Sequence, residues 1–153
     1  MHDIHPEEAR IRALHDEFEA AIKIKDLDRI MAQYAPDVVA FGAIGALQFV
    51  GVPDYHAHWQ RCFEFCEGEG FFETHDLHVE VGGELAYSRM LSHCGGPNKE
   101  GQMQTCWMRG SRVWGNRDGQ WRVVHEHFSM PFDMETGQVD MSHGPTPLQE
   151  QAG

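Results

Sequence analysis

The sequence predicts an α+β domain, and two patterns carry that prediction. Up to Cys66, apolar residues recur at spacings of three and four, the period of helix faces; from Gly70 onward they alternate with polar residues between Gly, Pro, Asn and Asp turns. A third observation, the length of 153 residues, makes room for one core that needs no disulfide or structural metal to hold it. Helices followed by an antiparallel meander are an α+β arrangement.

The elements follow in order. Over residues 6–24, Ile11, Leu14, Phe18, Ala21 and Ile22 form one helical face, and Pro6, Glu7 and Glu8 suit a first turn whose amides lack partners. Asp26 caps a second short helix whose stripe is Leu27, Ile30, Met31 and Tyr34, and Pro36 ends it. Residues 38–41 form a short β-type run, and 42–51 form a glycine-interrupted loop. Pro53 starts a third helix carrying Tyr55, Trp59, Cys62, Phe63 and Cys66, closed by Gly68 and Gly70. Strands are expected over 77–81, 85–93, 103–114 and 120–129, with turns at Gly82-Gly83, at 95–101 and at 116–119. One domain is read over 1–132, followed by an irregular C-terminal tail over 133–153.

Twelve Lys and Arg against 24 Asp and Glu give a net charge of −12, with no basic run to interrupt it. Such a field repels phosphate backbones and anionic lipid, so neither nucleic acid nor membrane is an expected partner. The N-terminal residues contain no basic region leading into an apolar stretch, and no apolar run is long enough to span a bilayer, so the expected location is cytoplasmic. Cys62, Cys66, Cys94 and Cys106 sit in apolar or strand-like contexts and are expected to be buried free thiols, the pair at 62 and 66 packing in the core.

Residues 111–129, SRVWGNRDGQWRVVHEHFS, resemble the last hairpin of SnoaL-like proteins and of the calcium/calmodulin-dependent kinase II association domain, both in the nuclear transport factor 2-like superfamily. The similarity continues through Lys25-Asp26-Leu27-Asp28, Val39-Ala40-Phe41, Asp54-Tyr55-His56 and Leu85-Ala86-Tyr87-Ser88-Arg89, covering roughly residues 8–132. The resemblance implies three helices on the concave face of a curved antiparallel sheet, a cone with an internal pocket, and a homodimer formed through sheet faces. Relatives include enzymes and pure binding or assembly domains, so fold alone assigns no chemistry.

Ketosteroid isomerase shares this superfamily, and its Tyr, base and buried Asp positions fall at Phe18, near Gly42, and near Arg109 or Gly110. Phe18 has no proton to give and glycine is no base, so that mechanism is not expected; Tyr34, Asp37 or His56 are the groups left for another one. The kinase association domain has a basic pocket, and His56, Arg89 and Arg112 match a His and two Arg of it, with Phe128 replacing a third Arg. Two readings of the arginines stand side by side. Arg89 and Arg112 meet a ligand carboxylate, or Glu126 satisfies Arg112 in an internal ion pair.

The leading expectation is therefore a small-molecule-binding domain, its ligand carboxylate held by Arg89 and Arg112, with Phe41, Tyr55, Trp59, Trp107 and Phe128 as apolar wall and Glu126 close by. Its rivals are an isomerase, cyclase or hydrolase of a hydrophobic ketone using His56 as acid or base, and an oligomeric assembly module. No cofactor is expected. His125 and His127, two apart on a strand and so about 7 Å from each other, are weak metal-ligand candidates without a third ligand; alternation puts them opposite Phe128 and in line with Trp121 and Val123. His58 is expected to face solvent, and His93 to sit with Tyr87 and Arg89, at the pocket or at a strand end.

Overall fold

The structure, a computed structural model, describes residues 5–140 and Gly144. Helix α1 (Pro6–Lys23) carries Ile11, Phe18, Ala21 and Ile22 on its buried face, and His5 caps it by accepting the Glu7 amide on Nδ1 at 3.1 Å. Helix α2 (Leu27–Met31) is capped by Asp26, whose carboxylate accepts the Arg29 amide. It stops earlier than its apolar stripe suggests. Tyr34 opens strand β1 (Tyr34–Phe41) instead of continuing the helix. Pro36 forces Ala35 toward extended backbone, and it lies where the β1 register shifts, between Tyr34 and Val39.

Within the 42–51 loop Phe49 and Val50 form a short strand, β2 (Phe49–Val50), and helix α3 (Val52–Glu64) follows with Pro53 in its first turn. Strands β3 (Phe71–Gly82), β4 (Leu85–Pro97), β5 (Met103–Arg117) and β6 (Gln120–Ser129) are longer than the sequence pattern alone suggests. The sheet order is β2-β1-β6-β5-β4-β3. All its pairings are antiparallel except β1 with β6, which is parallel, so the first strand returns to lie beside the last. The α+β class and the curved six-stranded sheet with three helices match the expectation.

Period-two alternation decides what enters the core. Ala86, Ser88, Met90 and Ser92 of β4 are buried, whereas Leu85, Tyr87 and Arg89 between them are exposed. On β6, Val124 is an extra residue: Val113 pairs His125 and Trp114 pairs Val123. This bulge places Trp121 and Val123 on the buried face together with Glu126 and Phe128, correcting their expected alignment with His125 and His127. A second bulge in β3, between His75 and His78, holds Asp76 at φ 54°.

Gly95, opposite Thr105, approaches β5 so closely that a Cβ there would collide with Gln104 O and lie 2.8 Å from Thr105 Cα, both backbone atoms that cannot step aside. Gly95→Ala is therefore expected to destabilise the fold by about 1–3 kcal/mol, read as a lower urea midpoint.

From Met130 the described chain makes one turn, Phe132 bridging Val139 and Asp140 N donating to Pro131 O at 2.9 Å. The rest of the expected tail, Gly144 apart, lies outside the described residues. Among the described residues no helix is long and apolar enough to cross a membrane.

Candidate functional site

The interior contains a polar cluster beside an apolar cavity. Arg112 on β5 and Glu126 on β6 are cross-strand partners, so their side chains leave the same face side by side. Both are completely buried, and Arg112 Nε donates to Glu126 Oε1 at 2.7 Å. Tyr34 donates to both Glu126 oxygens, at 3.0 and 2.8 Å, and Tyr55 donates to Oε2. One carboxylate thus collects donors from β1, α3 and β5.

The other side of the guanidinium meets His15 on α1. Arg112 Nη1 lies 3.1 Å from His15 Nδ1, and arginine can only donate, so Nδ1 accepts and the ring proton sits on Nε2. Nε2 then donates to Ser88 Oγ at 3.0 Å, which also accepts the Trp114 indole N–H at 2.9 Å. The Phe18 ring covers the guanidinium 4.2 Å from its centroid, and Arg112 Nη2 makes no hydrogen bond.

Burial, then the Arg112 charge, push His15 down to about 2, so it is neutral in the folded protein. Burial, then the Glu126 carboxylate, drive the Tyr34 and Tyr55 phenols well above their ordinary value and keep both as donors. Burial opposes the Arg112 charge, yet Glu126 more than compensates, and its pKa is raised.

The cavity, about 350 Å³, opens between α3, the 42–44 segment and the ends of β3, β4 and β5. Its walls are aromatic, aliphatic and sulfur-bearing; among the described residues Lys25 is the only Lys, Arg, Asp or Glu on them. Tyr55 and Phe128 belong to both regions: each lines the cavity and also touches the polar cluster.

Of the residues expected at the site, Tyr55, Trp59 and Phe128 line this cavity. Arg112 and Glu126 lie beneath it, engaged with each other, which is the internal ion pair of the two readings. The interior is accordingly a neutralised pair and not a basic chamber. Arg89 stands on the exposed face of β4, one residue out of phase with Ser88 and Met90, and does not join Arg112. Trp107 is also on the outer face, stacked on His93 with centroids 4.5 Å apart, while its neighbours Cys106 and Met108 face inward. Phe41 is exposed and packs edge-on against His125 and His127.

His56 is half-buried and does not line the cavity; His58 does, stacked on Phe49 at 4.1 Å, contrary to its expected exposure. Burial lowers the His58 pKa. His125 donates from Nδ1 to Val39 O at 2.6 Å on the outer side of the sheet. Among the described residues, no group of three or more His, Cys, Asp or Glu is arranged to hold a metal ion.

Sequence reasoning missed His15, Ser88, His58 and the cysteines as wall. His15 was legible: it lies four residues after Ile11 and three before Phe18, on the buried stripe of α1.

A family model of the SnoaL-like domain matches residues 11–133. Among solved structures, an NTF2-like protein of unknown function from Pseudomonas putida KT2440 is 40% identical, with TM-score 0.83, covering 91% of this chain and 96% of its own. A ketosteroid isomerase-like protein from Erwinia carotovora atroseptica SCRI1043 is 20% identical, with TM-score 0.70 and coverages of 82% and 97%. The association domain of C. elegans CaMKII is 18% identical, with TM-score 0.64 and coverages of 80% and 95%. No curated protein matches the chain. With the family model spanning most of its length and the cone-forming sheet and helices in place, the chain belongs to the SnoaL-like family of NTF2-like proteins.

Proposed function

We propose that this domain binds a compact, uncharged, largely apolar organic molecule in the cavity beneath α3. The observation that carries this reading is the cavity itself. At about 350 Å³ it falls at the lower end of the roughly 300–1,000 Å³ typical of small-molecule sites. Its aromatic wall suits an apolar guest, whereas a carboxylate would find no free guanidinium there among the described residues, since Arg112 is held by Glu126 and Arg89 is outside, and the Lys25 ammonium on the wall already donates to the Cys66 carbonyl. The catalytic alternative loses His56 from the cavity, and the imidazole that replaces it, His58, is shifted toward its neutral form.

A homodimer through the outer sheet face belongs to the same proposal, supported by the exposed Phe41, Leu85 and Tyr87 on that face. A cytoplasmic location is supported by the four free thiols.

The test pairs 2-acetylnaphthalene with 2-naphthoate, alike in shape and different in charge. The ketone is expected to raise Tm and the carboxylate to do so much less. Ala43→Trp, which fills the cavity from the 42–44 segment, should abolish the ketone's effect, and His56→Ala should leave it unchanged. Equal or stronger stabilisation by the naphthoate would restore the acidic-ligand reading and overturn this one.

A further inference from the structure

All four cysteines of the chain are free, half-buried and in the cavity wall. They come from different elements. Cys62 belongs to α3 and Cys66 follows it, while Cys94 and Cys106 are direct cross-strand partners on β4 and β5. The two strand sulfurs touch, with Sγ atoms 3.6 Å apart. Cys62 lies 3.7 Å from His58 Nε2, and its thiol is pushed up by burial.

Two thiols in contact are not equivalent once one donates to the other. The donor keeps its proton, and the acceptor gains a stabilised thiolate. Here the Cys94–Cys106 hydrogen bond, followed by burial, raises Cys94, and the same bond lowers Cys106. Cys94 also packs against the hydrophobic core, a setting that favours the protonated thiol, so Cys106 is the sulfur better placed to attack. Among the described residues no carboxylate lines the cavity to repel a thiolate. Among the described residues no third ligand completes a metal set with the pair.

We propose that Cys106 and Cys94 form a redox-active dithiol that reduces small apolar organic hydroperoxides admitted by the cavity, a reading that rests on the cavity being a ligand site. The Cys106 thiolate attacks the terminal oxygen of the hydroperoxide. The O–O bond breaks, the departing alkoxide takes a proton and leaves as the alcohol, and Cys106 becomes a sulfenic acid. Cys94 gives up its proton and attacks the Cys106 sulfur; an S–S bond forms and water departs. The two thiols have lost two electrons and the peroxide has gained them. A small external dithiol then restores the pair by exchange and is itself oxidised. The sulfurs close from 3.6 Å to the disulfide length of about 2.05 Å, with the backbone partners already opposite each other.

The experiment treats the reduced protein with one equivalent of cumene hydroperoxide or of hydrogen peroxide, followed by intact mass and peptide mapping. Wild type is expected to lose two hydrogens, map to a Cys94–Cys106 disulfide, and react faster with cumene hydroperoxide. Cys94→Ser should stop at a Cys106 sulfenic acid that dimedone captures. Cys106→Ser should lose the reaction, and His56→Ala, at a position outside the cavity, should retain it. An unimpaired Cys106→Ser, a disulfide joining other cysteines, or a wild-type rate no faster than that of the urea-unfolded chain would overturn the proposal. Ala43→Trp separates the two readings. If the cavity selects the substrate, this variant loses the preference for cumene hydroperoxide, its rate with that peroxide falling more than its rate with hydrogen peroxide. If wild type shows no preference and the variant changes nothing, the cavity reading and the substrate class fall while the dithiol stands.

Discussion

Glu126→Gln is expected to lower stability by about 3–5 kcal/mol, which for a domain of this size is about 6–20 °C in Tm. The substitution keeps shape and removes charge. Arg112 then stays buried beneath Phe18 with no anion, and burial is already the largest influence acting against its charge. Tyr34 and Tyr55, which both donate to Glu126, would compete for a single amide oxygen. Replacing Tyr55 by Phe should cost less, because the carboxylate retains Arg112 and Tyr34. In a double-mutant cycle between positions 55 and 126 the double change should cost less than the sum of the single ones, since the two side chains share one hydrogen bond. A Tm shift for Glu126→Gln below about 2 °C would show that water reaches the pair in solution.

The second expected result is an acid sensitivity with an identifiable source. His15 has an ordinary value of 6.5 and about 2 in the folded protein. Between those two pH values the unfolded chain holds a proton that the folded chain refuses. The stability gained by keeping His15 neutral is therefore complete above about pH 6.5 and is lost as pH falls below it, at about 1.4 kcal/mol per pH unit. Urea midpoints taken from pH 7.5 down to 4.5 should fall accordingly. His15→Gln offers an acceptor to Arg112 and a donor to Ser88 without a titrating ring, and its profile should be flatter than wild type by the contribution of one proton. Parallel profiles would place the acid sensitivity elsewhere.

Much of the framework was legible because periodicity is a strong signal. The stripe of α1 and the run that defines β6 are where the pattern put them, while the turn before β6 narrows to Asp118-Gly119 because β5 pairs as far as Arg117. Tyr34 was misplaced because Leu27, Ile30, Met31 and Tyr34 keep a helical spacing past the real end of α2. Local spacing cannot show that a strand position beside β6 gives Tyr34 a buried carboxylate to bond.

The site was harder for a related reason. On a strand, a shift of one position exchanges inside for outside. Arg89 and Trp107 are each a single residue away from side chains that do face the interior, Ser88 and Met90 in one case, Cys106 and Met108 in the other. Charge and aromaticity drew attention to the wrong member of each pair. The even-numbered series Ala86, Ser88, Met90, Ser92 and Cys94, small or apolar throughout, was the better guide. On β6 the alternation itself breaks at Val124, and no composition rule locates a bulge.

That bulge matters for shape more than for pairing. Val124 and His125 together answer Val113, and after them every residue of β6 meets its β5 partner one for one. In β3, likewise, two residues, Asp76 and Leu77, answer the single Met90 of β4. Each bulge makes one edge of a ribbon longer than its neighbour, and a ribbon with unequal edges bends. Deleting Val124 would leave every partner and face as it is and remove only surplus length. The hollow under α3 is thus paid for in arc length, by residues that do not line it.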